Sequence, residues 1–318
     1  MTAYVGTYSK DGIGGVYRIE IDQENKLIKE PELFLDLDDA KTLSLFQGNL
    51  ITSLKEAERC GIRWYEIRGR DVIEWDTDLQ EKSTPCYIYQ DHIYAATANY
   101  HDSCVTIYQK ENGRLVLKKK IDFGKGAKCH QIFFYQGYFY IFCLGLDSLT
   151  ILAEEDFTLV REILFPKGSG PRHGVISEKR QALYVVCELS NEVFTLDIKD
   201  GLPVNIRSSI SVNPLSDSQA VSAAIRLSND EEYVYVTVRG IKKIVVLRPE
   251  YDVLTICQIV DCGGDYPRDM ILSQDMKYVL VANTDSGNIC MFCVEDGLMD
   301  DKCCGHIRLE RGSSIVLS

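Results

Sequence analysis

Several features are scarce or missing in this chain of 318 residues. Its longest apolar run, residues 138–146, is far too short to cross a bilayer, which needs about 20 residues. Basic residues are in the minority, and the formal net charge of −12 argues against nucleic acid or an anionic membrane surface as the main partner. Residues 1–6 lack the basic start and apolar core of a signal peptide, so we expect a cytoplasmic protein.

The 12 cysteines do not indicate a disulfide framework. Most of them lie inside predicted strands rather than in a small, loop-rich context, which favours free thiols in a reducing compartment. Cys290 and Cys293 have the spacing of a metal pair, but residues three apart in a strand point to opposite faces. Cys303 and Cys304 have no partner His or Cys at ligand spacing. The sequence therefore predicts ordinary buried thiols, no metal site and no cofactor.

Tryptophan is rare, with two residues against 18 tyrosines, and no Gly-His start or Trp-Asp end of a WD40 repeat recurs. A different unit recurs, namely a short strand-like run that ends in a polar or charged residue or a turn. The markers at the ends of these runs are Thr7, Thr52, Asn99, Leu144, Glu188, Arg239 and Asn283, at intervals of 45, 47, 45, 44, 51 and 44 residues. Because this is the length of a four-stranded propeller blade, the sequence predicts an all-β, seven-bladed β-propeller with four-stranded antiparallel blades.

Seven blades of this length account for the whole chain, so we expect a single domain over residues 1–318. The best-defined blade has four strand-like segments separated by turn signals, at residues 86–89, 92–98, 104–108 and 114–117. The blade that contains Thr7 lacks an innermost strand, while residues 313–317 form an apolar strand with no later segment to pair with. Pairing of this tail with residues 3–7 would close the ring and remove two open sheet edges.

The candidate functional residues lie in loops that should share one face of the ring. In a propeller, the loop before the innermost strand and the loop between the second and third strands emerge on the same face. Glycine-rich loops with His or Arg precede three innermost strands, at residues 124–130, 168–173 and 263–268. The residues expected to converge are His130, Arg172, His173, Glu188, Arg239 and Arg268. Three arginines on an acidic protein would attract an anionic ligand.

Several segments resemble the blade motifs of the seven-bladed propeller lactonase family. The resemblance runs from the first strand to about Gly297, and its most specific part is Gly-Pro-Arg-His at residues 170–173 followed by Glu188-Leu189. Further matching segments are residues 4–8, 98–100, 130, 144–147, 239–240 and 267–268. The resemblance implies a metal-independent lactone hydrolase that acts on a small anionic sugar lactone, with 6-phosphoglucono-δ-lactone of the pentose phosphate pathway as the expected substrate.

The same resemblance implies that His130, Arg172 and Glu188 form the active-site set, and the chemistry of lactone opening assigns roles to all six convergent residues. His130 would act as general base, Arg172 would stabilise the oxyanion, and Glu188 would orient the base or share its proton. His173, Arg239 and Arg268 would bind the substrate, with the two arginines on its phosphate. No serine nucleophile is expected, because the chain has no Gly-x-Ser-x-Gly elbow.

Three departures from the family pattern leave other functions open. Similar sequences usually carry an acidic residue where this chain has Cys143 and Ala224, and an asparagine where it has Val238. One alternative is a propeller without catalytic activity that binds a small anion or a protein partner. The other is a muconate-type cycloisomerase or an enzyme for another lactone.

Overall fold

Strand follows strand along almost the whole chain in the computed structural model, which describes residues 1–10 and 13–318. Among these residues the strands form seven antiparallel sheets, and a single 3-10 turn, Leu144–Leu146, interrupts the pattern. We number the sheets as blades 1 to 7 in chain order, with the first blade completed from the C-terminus. The prediction of a seven-bladed propeller with four-stranded antiparallel blades is confirmed.

The bounds of the strands are as follows. Blade 1 contains β1 (Thr2–Thr7), β2 (Gly15–Asp22), β3 (Leu27–Ile28), β4 (Glu32–Asp36) and β30 (Gly312–Leu317). Blade 2 contains β5 (Leu43–Phe46), β6 (Asn49–Glu56), β7 (Arg59–Arg68) and β8 (Asp71–Glu81). Blade 3 contains β9 (Tyr87–Gln90), β10 (Tyr94–Asn99), β11 (Cys104–Glu111) and β12 (Arg114–Asp122). Blade 4 contains β13 (Cys129–Tyr135), β14 (Tyr138–Cys143), β15 (Ser148–Ala153) and β16 (Leu159–Leu164).

The remaining three blades follow the same order. Blade 5 contains β17 (Pro171–Ser177), β18 (Ala182–Cys187), β19 (Glu192–Lys199) and β20 (Leu202–Ser211). Blade 6 contains β21 (Val221–Leu227), β22 (Val234–Arg239), β23 (Lys243–Glu250) and β24 (Val253–Asp261). Blade 7 contains β25 (Pro267–Leu272), β26 (Tyr278–Asn283), β27 (Asn288–Glu295), β28 (Leu298–Met299) and β29 (Gly305–Arg308).

The repeated apolar runs of the sequence are the second strands of the blades, which are buried on both faces. In β10, Tyr94, Ala96 and Ala98 pack against blade 4, whereas Ala95 packs against blade 2. Alternate residues of a strand point to opposite faces, so a blade between two neighbours needs apolar side chains at nearly every position. The described core is accordingly divided into seven clusters, one between each pair of adjacent blades.

The first strands of the blades form the wall of a central channel. β30, β5, β9, β13, β17, β21 and β25 contact one another in this order, and β25 returns to β30. Each of these strands pairs on its outer side with the second strand of its own blade. The loops that precede the first strands therefore open at one mouth of the channel.

The ring closes through the two ends of the chain, as predicted. β30 pairs antiparallel with β1, with Ala3 opposite Leu317 and Gly6 opposite Ser314. We call this pairing of β30 with β1 the clasp. It also reaches blade 7, where a carboxylate oxygen of Asp269 accepts a hydrogen bond of 3.1 Å from the backbone N–H of Ile315. β30 thus supplies the innermost strand that blade 1 lacks in its own segment of the sequence.

All 12 cysteines lie in the described part of the chain, and all are free thiols. Cys290 packs between blades 6 and 7 and Cys293 between blades 7 and 1, so the two sulfurs lie on opposite faces of β27. The structure places Cys303 beside Cys290 and Cys304 beside Cys293. Across residues 1–10 and 13–318, no group of three or more His, Cys, Asp or Glu side chains is placed to hold a metal ion. Within the same ranges, no helix has the length and apolarity needed to cross a membrane.

Candidate functional site

Three of the predicted site residues are each the extra residue of a β-bulge at the start of an innermost strand. The unpaired positions are His130 between Cys129 and Gln131, Arg172 between Pro171 and His173, and Arg268 between Pro267 and Asp269. A bulge bends its strand and changes the direction of the side chain that it carries. The same irregularity in blades 4, 5 and 7 therefore presents His130, Arg172 and Arg268 at the same mouth of the channel.

Five of the six predicted residues form a continuous chain of contacts. His130 Nδ1 lies 3.1 Å from His173 Nε2, a distance at which one of the two nitrogens donates a hydrogen bond to the other. Arg172 Nη1 lies 3.2 and 3.4 Å from the two ring nitrogens of His173, so the guanidinium covers the imidazole ring rather than facing one lone pair. Glu188 Oε2 accepts a hydrogen bond of 2.9 Å from Arg172 Nε and forms an ion pair of 2.9 Å with Arg239 Nη2.

Backbone carbonyls of blade 6 accept hydrogen bonds from the two buried arginines of this chain of contacts. Arg172 Nη1 donates to the carbonyl of Ala223 at 2.6 Å, and Arg239 Nη2 donates to the carbonyl of Ser222 at 3.1 Å. Arg239 Nη1 donates to the hydroxyl of Tyr266 at 3.0 Å. Arg172 Nη2, in contrast, makes no hydrogen bond with a described residue. The site therefore retains one guanidinium nitrogen that can donate to a ligand.

A cavity of about 480 Å³ occupies the channel next to this chain of contacts. Of the six predicted residues, Arg172, His173 and Arg268 line the cavity, whereas His130, Glu188 and Arg239 are not part of its lining. Glu188 contacts the two arginines rather than His130, which differs from the expectation that it orients the histidine. Glu188 follows β18, which pairs with the bulged start of β17 that carries Arg172, and its carboxylate meets Arg239 of blade 6 rather than His130 of blade 4.

Burial and positive charge control the protonation of the site. Burial is the largest cause that holds the pKa of His130 well below its ordinary value of 6.5. The Arg172 and Arg268 guanidinium groups lower this pKa further. The pKa of His173 is lowered well below the same value by burial and then by Arg172. Burial also lowers the pKa of Arg172 to about 10, helped by Arg239 and opposed by Glu188. Both histidines are therefore neutral at pH 7, while Arg172 is charged.

The three departures from the family pattern are packing positions in this chain. Cys143, Ala224 and Val238 have no exposed surface. The Cys143 sulfur lies 3.6 Å from that of Cys129, and the other two side chains belong to apolar clusters between blades. None of the three positions therefore carries a charged side chain in this chain.

The sequence analysis missed several residues that line the cavity. Lys41 lies just before the innermost strand β5, and Arg268 lies at the start of the innermost strand β25. Tyr8 directly follows β1. Arg226 and Asp269 form an ion pair of 2.5 Å across blades 6 and 7. Applying the blade register to every innermost strand would have identified Lys41, because it occupies the position that Arg268 occupies in blade 7. Tyr8 lay within a recognised motif, but nothing in the sequence assigned it a contact.

Comparison with known proteins agrees with this geometry. A family model described as "Lactonase, 7-bladed beta-propeller" matches residues 2–302. A 6-phosphogluconolactonase of Bacillus subtilis is 29% identical over 315 residues, which cover 91% of this chain and 90% of that protein. The family match extends over nearly the whole described structure.

Two solved structures share the fold. A protein from Lactobacillus plantarum superposes with a TM-score of 0.91 at 23% identity, covering 99% of this chain and 98% of its own. The periplasmic gluconolactonase of Pseudomonas aeruginosa superposes with a TM-score of 0.88 at 20% identity, also covering 99% and 98% of the two chains. At these identities the two structures support the architecture alone, and the family follows from the match over residues 2–302. The chain belongs to the seven-bladed β-propeller lactonase family.

Proposed function

We propose that this protein hydrolyses a sugar lactone, with 6-phosphoglucono-δ-lactone as its substrate. The observation that carries the proposal is Arg172, a buried guanidinium that lines the cavity with Nη2 free and covers the neutral ring of His173. This pair combines an electrophilic donor with a neutral base, which are the two groups that opening of an ester by water requires. The Bacillus subtilis relative supports the choice of substrate by its name. The free cysteines fit a reaction in the cytoplasm.

The proposed mechanism uses a water molecule as the nucleophile. The water oxygen attacks the lactone carbonyl carbon while its proton passes to His173, the histidine that lines the cavity. Arg172 Nη2 donates to the oxyanion of the tetrahedral intermediate. When the intermediate collapses, the bond between the carbonyl carbon and the ring oxygen breaks, and the ring oxygen takes the proton from His173. The product is the open-chain hydroxy acid.

The other members of the contact chain act as positioning residues in this mechanism. His130 exchanges a hydrogen bond with His173 and so fixes the orientation of its ring. Glu188 bridges Arg172 and Arg239, which holds the Arg172 guanidinium against the cavity despite the repulsion between the two cations. Our expectation that His130 is the base thus becomes a proposal that the two histidines act as a pair, with His173 nearer to the substrate.

The direct test is a pH-stat assay of 6-phosphogluconolactone opening with and without the protein, because such lactones also open spontaneously. Acceleration that saturates with substrate is the expected result. Equal rates with and without the protein, over a range of protein concentrations, would overturn the proposal. The cavity lining also contains Leu45, Phe133, Val175 and Ile176, which favours a second candidate, a lactone with an apolar substituent. The same assay with an aromatic carboxylate lactone compares the two candidates.

Substrate charge is expected to be recognised by Arg268. Replacement of Arg268 by Ala removes one charge-assisted contact, worth roughly 1.5 to 3 kcal/mol. The ratio of kcat/KM for 6-phosphogluconolactone to kcat/KM for unphosphorylated gluconolactone should therefore fall about ten- to a hundredfold. An unchanged ratio would show that the phosphate is bound elsewhere or is not part of the natural ligand. Arg114→Ala, at an exposed arginine of blade 3, is the control.

The pH dependence of the reaction should follow the lowered pKa values of the two histidines. Because the neutral form is required, kcat/KM should stay on its plateau at pH 6.5 and fall only in more acidic solution. Arg268→Met should shift this acid limb to higher pH, since the guanidinium contributes to lowering both pKa values. An acid limb of kcat/KM at or above pH 6.5 in the unmodified protein would contradict this assignment.

The free energy of unfolding should also decline below about pH 6.5, because the unfolded histidines bind protons more readily.

A further inference from the structure

We propose that Tyr8, Lys41 and Arg268 form an anion subsite that takes a dianionic phosphoryl group. The inference rests on the proposed function, because it assigns the residues that hold the end of the substrate opposite the lactone carbonyl. Lys41 and Tyr8 were not among the residues that the sequence identified. All three side chains line the central cavity together with Arg172 and His173.

The geometry brings two cations to one aromatic ring. Lys41 Nζ lies 5.4 Å from the centroid of the Tyr8 ring, and Arg268 Cζ lies 5.2 Å from the same centroid. Both distances are within the range of a cation–π contact, so a single ring contacts both cations. A pair of clustered cations at a cavity wall is a binding site for an anion of matching charge.

The position of this cluster in the ring fits a small elongated substrate. Tyr8 belongs to blade 1, with Lys41 and Arg268 on the adjacent blades 2 and 7. In a ring of seven blades, the positions opposite blade 1 are blades 4 and 5, which carry His130 and His173. The cavity between them is therefore bordered by the proposed catalytic groups on one side and by the cation cluster on the other.

Arg268 differs from the other arginines of the site in its partners. Arg172, Arg226 and Arg239 each form an ion pair with a carboxylate. The guanidinium of Arg268 is half-buried and makes no hydrogen bond or ion pair with any described residue. Its planar fork can donate to two oxygens of one phosphoryl group, while the Lys41 ammonium can donate to the third. The unpaired charge of Arg268 and the additional donors of Lys41 favour a phosphoryl group, which offers three oxygens, over a carboxylate, which offers two.

Lys41 is held in place by both ends of the chain. The Ser313 hydroxyl in the clasp donates a hydrogen bond of 2.6 Å to the carbonyl of Lys41. A Cβ on Gly6 would lie 2.3 Å from the carbonyl oxygen of Ala40, so glycine allows this loop to approach β1. Asp39 lies 3.1 Å from Lys41 Nζ and leaves other ammonium N–H groups available to a ligand. Ring closure and the subsite therefore depend on the same contacts.

The test measures equilibrium binding, which does not require turnover. Isothermal calorimetry on the full-length protein compares 6-phosphogluconate with gluconate. We expect Lys41→Met to weaken 6-phosphogluconate binding about ten- to a hundredfold and so to reduce the preference over gluconate by the same factor. Lys41→Arg should restore most of the preference. Lys128→Met is the matched control, because Lys128 also lies over a tyrosine, Tyr100, at 5.5 Å but is exposed and outside the cavity lining.

The outcomes separate this subsite from the proposed reaction. If Lys41→Met keeps its melting temperature and the preference for 6-phosphogluconate is unchanged, the subsite is wrong even if the protein opens the lactone. If the wild-type protein binds 6-phosphogluconate with dependence on Lys41 but does not accelerate lactone opening, the subsite stands and the proposed reaction fails. Equal loss with Lys128→Met would indicate a general effect of net charge and would also overturn the subsite.

Discussion

Deletion of residues 312–318 is expected to lower the melting temperature by about 10 °C or more, because the ring can no longer close. The deletion removes β30, and with it the innermost strand of blade 1 and the backbone pairing with β1. It exposes the inner edge of β1, and it removes Ile315, which is 1% exposed and packs between blades 7 and 1. The loss of one whole strand from a closed ring should far exceed the effect of any single surface substitution.

Thermal unfolding followed by circular dichroism is the measurement for this deletion. Removal of Ser318 alone is the matched control, since it keeps all of β30 and breaks one backbone hydrogen bond to Thr2. The control should melt within a few degrees of the intact protein. A melting curve that is unchanged by deletion of residues 312–318 would show that the clasp contributes little to stability.

Substitution of the residues proposed to contact the substrate should have the largest effect on catalysis. Arg172→Met removes the proposed donor to the oxyanion, and His173→Gln removes the proposed base. Each change should reduce kcat by a factor on the order of 10² to 10³. His130→Ala and Glu188→Gln should reduce kcat by on the order of 10² through loss of the contacts that position His173 and Arg172.

The readouts for these variants are steady-state kinetics, the pH profile of kcat/KM and the melting temperature. His101→Gln is the matched control for the histidines, since His101 is an exposed residue that contacts Tyr100 and is not part of the cavity lining. The control should keep full activity. If Arg172→Met and His173→Gln retain activity, the proposed mechanism is wrong. If they lose their folded structure instead, the contact chain serves stability rather than chemistry.

The architecture could be predicted from local features of the sequence. A second strand that is buried on both faces must be apolar at nearly every position, so each blade contains one recognisable run, such as residues 233–239. The longest interval between markers, 51 residues from Glu188 to Arg239, spans the connection between β20 and β21. The clasp was also predictable, because an unpaired strand at one end and a missing strand at the other can satisfy each other.

The shared face of the site followed from the same register. His130, Arg172 and Arg268 occupy equivalent positions in their blades, so a correct repeat brings their loops to one mouth of the channel. The repeat does not determine which side chain lines the cavity, because a bulge changes the direction of one residue without altering the pattern of its strand. His173, which the sequence analysis assigned to substrate binding rather than to catalysis, lines the cavity, whereas His130 is not part of the lining.

The sequence by itself determined the number of blades, the closure of the ring and the face that carries the site, because each depends on patterns within one repeat or at the chain ends. Only the tertiary structure decided the contacts between blades. Glu188 bridges two arginines that belong to blades 5 and 6. Tyr8 meets Lys41 and Arg268, and Arg268 lies 260 positions along the chain from Tyr8. Such contacts depend on distances across the ring, which have no counterpart in the local alternation and turn signals of the sequence.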